Sequence, residues 1–175
     1  MKISTMVKVS VLSALAAVIM FIEFPIPFFP PYLQIDLGDL PALIGAFVFG
    51  PIAGMLIELI KNLVHILIKG GATGGVGELA NFIVGTALVV PAGIIYRKNK
   101  SKLNAIIALL VGIIVMVIFA ALANYFILLP LYLPGGRPYM PLILSVLVPF
   151  NLIKGTIVSL IAIFIYKYAS PILHK

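Results

Sequence analysis

The chain has 175 residues, of which 63% are apolar and only 10% charged, with a mean hydropathy of +1.25. A soluble domain carries about 25% charged residues, so this composition excludes a water-soluble enzyme and indicates an integral membrane protein, a single domain over 1–175 with about five to seven spans. The absence of cysteine excludes a disulfide framework or a thiolate metal site, and the net charge of +7 sits mainly in short loops, where it reports topology rather than a nucleic-acid surface.

The first apolar segment covers 5–22. Lys2 and Lys8 precede it, and Ala14-Leu15-Ala16 resembles a signal-peptidase site. The run continues to Ile22, however, which leaves too short an apolar core before that site, so the segment reads as a retained helix. Ser10/Ala14 and Ser13/Ala17 are small pairs at four-residue spacing that let a second helix approach closely, either another helix of this chain or a partner subunit.

From Glu23 to Asp39 runs a loop with prolines at 25, 27, 30 and 31, which forbid a regular helix and favour extended backbone. It is aromatic and apolar, unlike a solvated linker. Two placements follow: a lid folded over the mouth of a bundle, or a loop lying in the lipid interface.

The stretch from Gly38 to Lys69 reads as one long helix or as two, 38–49 and 52–69, joined at Gly50-Pro51. Charge decides between them. Arg97-Lys98-Asn99-Lys100-Ser101-Lys102 is the most basic loop and is expected on the cytoplasmic side, like Lys2 and Lys8. An even number of crossings must then separate the N-terminus from Arg97, which requires the split. Helix 38–49 is short for a core of about 30 Å, so it is expected to be tilted or shielded by its neighbours.

Segment 52–69 carries Glu58, Lys61, Asn62, His65 and Lys69 at spacings that gather them onto one stripe. Internal salt bridging, ligand contact and a proton relay all fit that stripe. No second cluster supplies ligands for a metal beside His65. The following Gly70–Gly77 run looks like a phosphate loop but lacks the Lys-Ser/Thr ending of a nucleotide-binding motif, and reads as a flexible outer connection.

Segment 78–96 opens with Glu78, Asn81 and Gly85 on one face. Segment 103–129 is apolar apart from Asn124 near its outer end, and a second Pro/Gly/Tyr-rich loop follows with Tyr132, Gly135, Gly136, Arg137 and Tyr139. The last segment, 141–168, holds Asn151 and Lys154 one turn apart. A cation near the middle of a membrane segment costs at least about 2.5–3.5 kcal/mol, so it is expected to face the bundle interior and to mark function. The resulting expectation is an all-α membrane protein, a bundle of six transmembrane helices with both termini cytoplasmic. That arrangement puts Lys2, Lys8, Arg97, Lys98, Lys100, Lys102, Lys167 and Lys175 inside, against Lys69, Arg137, Glu23, Asp36, Asp39 and Glu78 outside.

Glu78, Asn81, Asn124, Asn151 and Lys154 all fall in the outer halves of the last three segments, beneath two aromatic loops. An apolar cavity with a few placed polar groups is the pattern of a small-molecule site. Asparagine offers a donor and an acceptor, and lysine offers donors, so together they suit the edge of a planar amide or imide. Phe28, Phe29 and Tyr32 are placed to cover its apolar part. No nucleophile–base pair stands out and the chain has no ATP motif of its own, so it reads as a non-enzyme and powered uptake would require partner proteins. The competing reading is a proton- or ion-coupled carrier acting alone through Glu58, Lys61 and His65.

Phe24-Pro-Ile-Pro-Phe-Phe-Pro-Pro-Tyr-Leu33 with Asp36, Phe49-Gly-Pro-Ile-Ala-Gly54, Lys61-Asn62, Asn81-Phe82 with Gly85, Asn124-Tyr-Phe126, Leu129-Pro-Leu-Tyr132 and Pro149-Phe-Asn-Leu-Ile-Lys-Gly155 occur in one order over nearly the whole chain. In that combination the sequence resembles the riboflavin-type substrate-binding S components of energy-coupling-factor (ECF) vitamin transporters. The resemblance implies a six-helix subunit of the cell membrane that binds riboflavin from outside as a transported ligand, with no cofactor of its own. It implies partners: a transmembrane T component and two ATPases that use ATP to drive release inward. It also implies that Asn124, Asn151 and Lys154 hydrogen-bond the pyrimidine edge of the flavin. Asn81, Glu78 and Gly85 would join the site, with Tyr32, Leu33, Gln34, Ile35 and Asp36 of a gating first loop. Docking of the T component would use the small residues Ser10, Ser13, Ala14 and Ala17, where the family has alanine-led pairs and this chain has serine. Beyond the resemblance, carboxylates at Asp36, Glu78 and Asp39 are expected to accept ribityl hydroxyls and to repel the phosphate ester of riboflavin.

Overall fold

A computed structural model describes residues 3–30, 33–70, 74–132 and 140–173. In hydrocarbon every backbone N–H and C=O must find a partner within the protein, and helices achieve this within one segment. The described chain accordingly forms six helices. α1 is Ile3–Met20, α2 is Asp39–Phe49, α3 is Pro51–Lys69 and α4 is Val76–Lys98. α5 runs over 102–132 and α6 over 140–173, each as one continuous helix with a π-turn inside it. Five are long and apolar enough to cross a membrane, and α2, with 11 residues, is shorter.

α2 rises only about 16 Å at about 1.5 Å per residue, yet it is the most enclosed element. Every residue from Asp39 to Phe47 is buried, and α1, α3, α4 and α6 pack around it. A helix shorter than the hydrocarbon core is thus kept from the lipid by its neighbours. Small residues allow the close approach: Gly54 of α3 lies against the Ala42 carbonyl of α2, where an added Cβ would be 2.9 Å away. At Gly50 the chain turns between α2 and α3 with φ 104°, a region that favours glycine, and Pro51 then supplies the preset φ of a first helical residue. At that end of the bundle Phe47 stacks on Tyr96 with ring centroids 4.3 Å apart, and the Tyr96 hydroxyl donates to Tyr166 at 3.2 Å.

At the opposite end, the proline-rich loop forms a short antiparallel hairpin, β1 Glu23–Pro25 and β2 Gln34–Asp36, with Glu23 opposite Asp36 and Phe24 opposite Ile35. Contacts to the helices hold it down: Glu23 pairs with Lys69, Asp36 with Lys154 and Asn81, and Phe29 meets Phe150 edge-on at 5.7 Å. The hairpin is therefore folded over one end of the bundle. Phe28, at its turn, has φ 74° and a fully exposed side chain.

The π-turns of α5 (Asn124–Leu128) and α6 (Ile143–Leu147) share a cause. Each ends two residues before a proline, Pro130 and Pro149. A proline inside a helix lacks its N–H, and its ring collides with the carbonyl four residues back, here those of Phe126 and Ser145. Opening the turn to i→i+5 bonding, as in Leu129 N–H to Asn124 and Val148 N–H to Ile143, moves those carbonyls aside. Both wide turns lie next to the asparagines singled out above.

Candidate functional site

The side chains beneath the hairpin form one buried polar network. Lys154 Nζ on α6 donates to Asp36 Oδ2 of β2 at 2.9 Å and lies 3.2 Å from Asp39 Oδ2 at the start of α2. Asn81 of α4 donates to the same Asp36 oxygen at 2.9 Å, and the Gly38 backbone N–H donates to Asp36 Oδ1 at 3.0 Å. Asp39 pairs in turn with Lys61 of α3, whose ammonium lies 2.8 Å from Glu58 Oε2. Lys61, Asp39 and Glu58 are fully buried, and Asp36 and Lys154 are nearly so. Isolated charges at such depth would cost several kcal/mol each. Mutual pairing offsets that, and it joins β2, α2, α3, α4 and α6. Burial by itself would raise the Asp36 pKa, but the charges of Lys154 and Lys61 with the hydrogen bonds from Lys154 and Asn81 outweigh it, holding the carboxyl well below its usual range.

A second pair lies nearer the hairpin end, where His65 Nδ1 of α3 is 3.0 Å from Glu78 Oε1 of α4 and the imidazole packs against Phe21 at 5.0 Å. The α3 stripe thus takes internal partners throughout: Glu58 with Lys61, Asn62 Nδ2 with the Glu58 carbonyl at 2.8 Å, His65 with Glu78, and Lys69 with Glu23. Among the described residues no group of three or more His, Cys, Asp or Glu side chains is arranged to hold a metal.

Asn151 and Lys154 are both buried on α6, one turn apart, next to Phe150 under the hairpin. Asn151 Nδ2 donates to the Leu147 carbonyl at the end of one π-turn, and Asn124, the first residue of the other, donates from Nδ2 to the Ala120 carbonyl one turn earlier, both at 2.8 Å. Each amide keeps a second N–H and its carbonyl oxygen for other partners. Asn124 is half-buried and, in this structure, makes no hydrogen bond to Asn151 or Lys154. Gly85 faces Glu58, with an added Cβ only 2.5 Å from Oε2. On α3 and α4, Glu78 Oε2, Asn81 Oδ1, Asn62 Oδ1 and His65 Nε2 are buried without a hydrogen-bond partner, as are both Glu58 carboxylate oxygens and, on α2, Asp39 Oδ2. Of the first-loop residues, Ile35 is fully buried, Leu33 and Gln34 are half-buried, and Tyr32 lies outside the described residues, as do Gly135, Gly136, Arg137 and Tyr139.

The small pairs of α1 divide between two faces. Ser13 and Ala17 are buried inside the bundle, whereas Ser10 and Ala14 are exposed in an apolar groove with Ile3, Met6, Val7 and Val11. Sequence reasoning missed the link from Lys154 to Asp39 and Lys61. A signal was present: Asp36, Asp39, Glu58, Lys61 and Lys154 are among the few charged residues that fall within or at the rim of apolar segments, where a charge needs a partner.

The chain matches, over residues 4–166, the family of substrate-specific components of ECF transporters. It is 39% identical to the riboflavin transporter RibU of Staphylococcus aureus, covering 97% of this chain and 92% of that one. It is 35% identical to the riboflavin transporter FmnP of Bacillus subtilis, covering 98% and 94%. A solved structure of the S component of a bacterial ECF transporter superposes with a TM-score of 0.85 at 40% identity, covering 98% of each chain. ThiT from Listeria monocytogenes, at 17% identity and a TM-score of 0.62, shares the fold. With a family match from one end of the bundle to the other and relatives of this identity, the chain belongs to the substrate-specific S components of ECF transporters.

Proposed function

We propose that this protein binds riboflavin at the hairpin end of the bundle and delivers it inward together with a T component and two ATPases. The observation that carries the reading is the buried Asn151–Lys154 face of α6 beneath the hairpin, in a chain whose similar relatives are named riboflavin transporters. Lys154 supplies a charged donor, and Asn151 and Asn124 supply amides, for the carbonyl and imide groups of the flavin's pyrimidine edge. The ribityl tail lies along the α3–α4 seam, where Glu78 and Asn81 keep unpartnered oxygens near Gly85. Tyr32, Leu33, Gln34, Ile35 and Asp36 belong to the covering loop. All six helices cross the membrane with both termini cytoplasmic: the bundle end bearing Arg97, Lys98, Lys100, Lys102 and Lys167 faces inward and the hairpin outward. The exposed Ser10/Ala14 face of α1 meets the T component, and Ser13 and Ala17 support it from within.

The test is titration of purified protein with riboflavin, read by quenching of flavin fluorescence. Saturable quenching at one flavin per chain is expected, and a folded protein that leaves the fluorescence unchanged refutes the proposal. Reconstituted alone in liposomes, the protein is expected to accumulate no riboflavin with or without a proton gradient. Gradient-driven uptake would instead establish a carrier working through Glu58, Lys61 and His65.

A further inference from the structure

An ammonium has three N–H donors on a long flexible stem. In Lys154 one of them is donated to Asp36 Oδ2 at 2.9 Å, and the ammonium is also drawn toward Asp39 Oδ2, an ion-pair contact at 3.2 Å in which Oδ2 accepts no hydrogen bond. Neither carboxylate is loose. Asp36 is fixed by the Gly38 N–H and by Asn81, and Asp39 by Lys61, which is itself held by Glu58. Three of the roughly four acceptor sites of Asp36 are thereby taken by protein groups, so it is poorly placed to receive a ribityl hydroxyl as well. An ammonium bonded to one fixed carboxylate and drawn toward a second has its position set before any ligand arrives, with its remaining N–H groups turned away from the first. Its surroundings, three carboxyls to two ammoniums, offer an anion no net positive charge.

We propose that Asp39, with Asp36, is a positioning residue for ligand recognition: the two carboxylates hold the Lys154 ammonium where its remaining N–H groups meet a neutral carbonyl of the ligand. The inference rests on the riboflavin reading above and adds to it a residue, Asp39, that needs no contact with the ligand. It also makes the site a reader of uncharged carbonyls, because the positive charge of Lys154 is already matched inside the protein. Preorganised donors bind more tightly because their ordering does not have to be supplied on binding.

A double-mutant cycle with riboflavin decides it, using the full chain, Asp39→Asn, Lys154→Met and the double variant. Asp39→Asn is expected to weaken binding about tenfold when Lys154 is present and less than about twofold in the Lys154→Met background, a coupling of about 1 kcal/mol. An equal loss in both backgrounds, or no loss in either, overturns the inference, because a purely structural Asp39 would not act through Lys154. If Asp39→Asn fails to give monodisperse protein, Asp36→Asn run through the same cycle decides with the same criterion. Lys154→Met binding like wild type overturns the Lys154 assignment and this inference with it. Lys154-dependent binding without coupling overturns this inference alone.

Discussion

Replacing Lys154 with methionine removes one ammonium but disturbs two properties. Asp36 loses a hydrogen bond at 2.9 Å and keeps Asn81 and the Gly38 N–H, while Asp39 loses a charge at 3.2 Å and keeps Lys61. Removing one partner from a buried ion pair leaves the other charge uncompensated and costs about 3–5 kcal/mol, toward the lower figure here because both carboxylates retain other partners. The ligand loses one charge-assisted hydrogen bond, about 1.5–3 kcal/mol, or about tenfold or more in Kd. Thermal unfolding of the ligand-free protein in detergent, followed by far-ultraviolet circular dichroism, reads the first effect. Fluorescence titration well below the transition reads the second. Adding Asp36→Asn to Lys154→Met removes an orphaned charge, so it is expected to recover part of the stability and none of the affinity. A single variant that melts like wild type would refute the network geometry. Recovery of both properties together would show that the affinity loss was a consequence of misfolding.

Gly85→Ala places a methyl 2.5 Å from Glu58 Oε2 and 2.8 Å from its Cδ, forcing the carboxylate off Lys61; a destabilisation of about 1–3 kcal/mol is expected, and an unchanged melting temperature contradicts this packing. Asp36 gives a pH signature with a definite sign. Its pKa is lower in the folded state than the ordinary 3.8, so its contribution to stability is complete above that value and is lost as pH falls toward the folded pKa. Acid melting curves of Asp36→Asn are expected to fall less steeply below pH 4 than those of wild type, and parallel curves would refute the pairing.

Much of the fold was legible because lipid imposes simple rules. Apolar runs, their lengths and the basic loop at 97–102 led to six helices with a break at Gly50-Pro51, and the structure has both. The shielding of the short helix was an open expectation, and α1, α3, α4 and α6 supply it. The π-turns went unread although Pro130 and Pro149 signal them, because a proline inside an apolar run reads equally well as a kink, a helix end or a wide turn until its neighbours are placed. The small pairs of α1 share a spacing, and only the packing separates Ser13/Ala17, turned inward, from Ser10/Ala14, turned outward.

The candidate site divides along the same line. That Asn151 and Lys154 share a buried helix face follows from helical periodicity and from the cost of a cation in hydrocarbon, both readable in the sequence alone. Composition likewise determined the membrane class, and the ordered motifs determined the family. Which carboxylates neutralise Lys154 was decided only by tertiary structure. Asp36 and Lys154 are 118 residues apart, and no local pattern records the relative rotation of the hairpin, α2 and α6 on which their meeting depends. The tertiary structure turned a lone cation into one member of a buried network in which Lys154 is paired with Asp36 and Asp39 rather than left as a free positive charge.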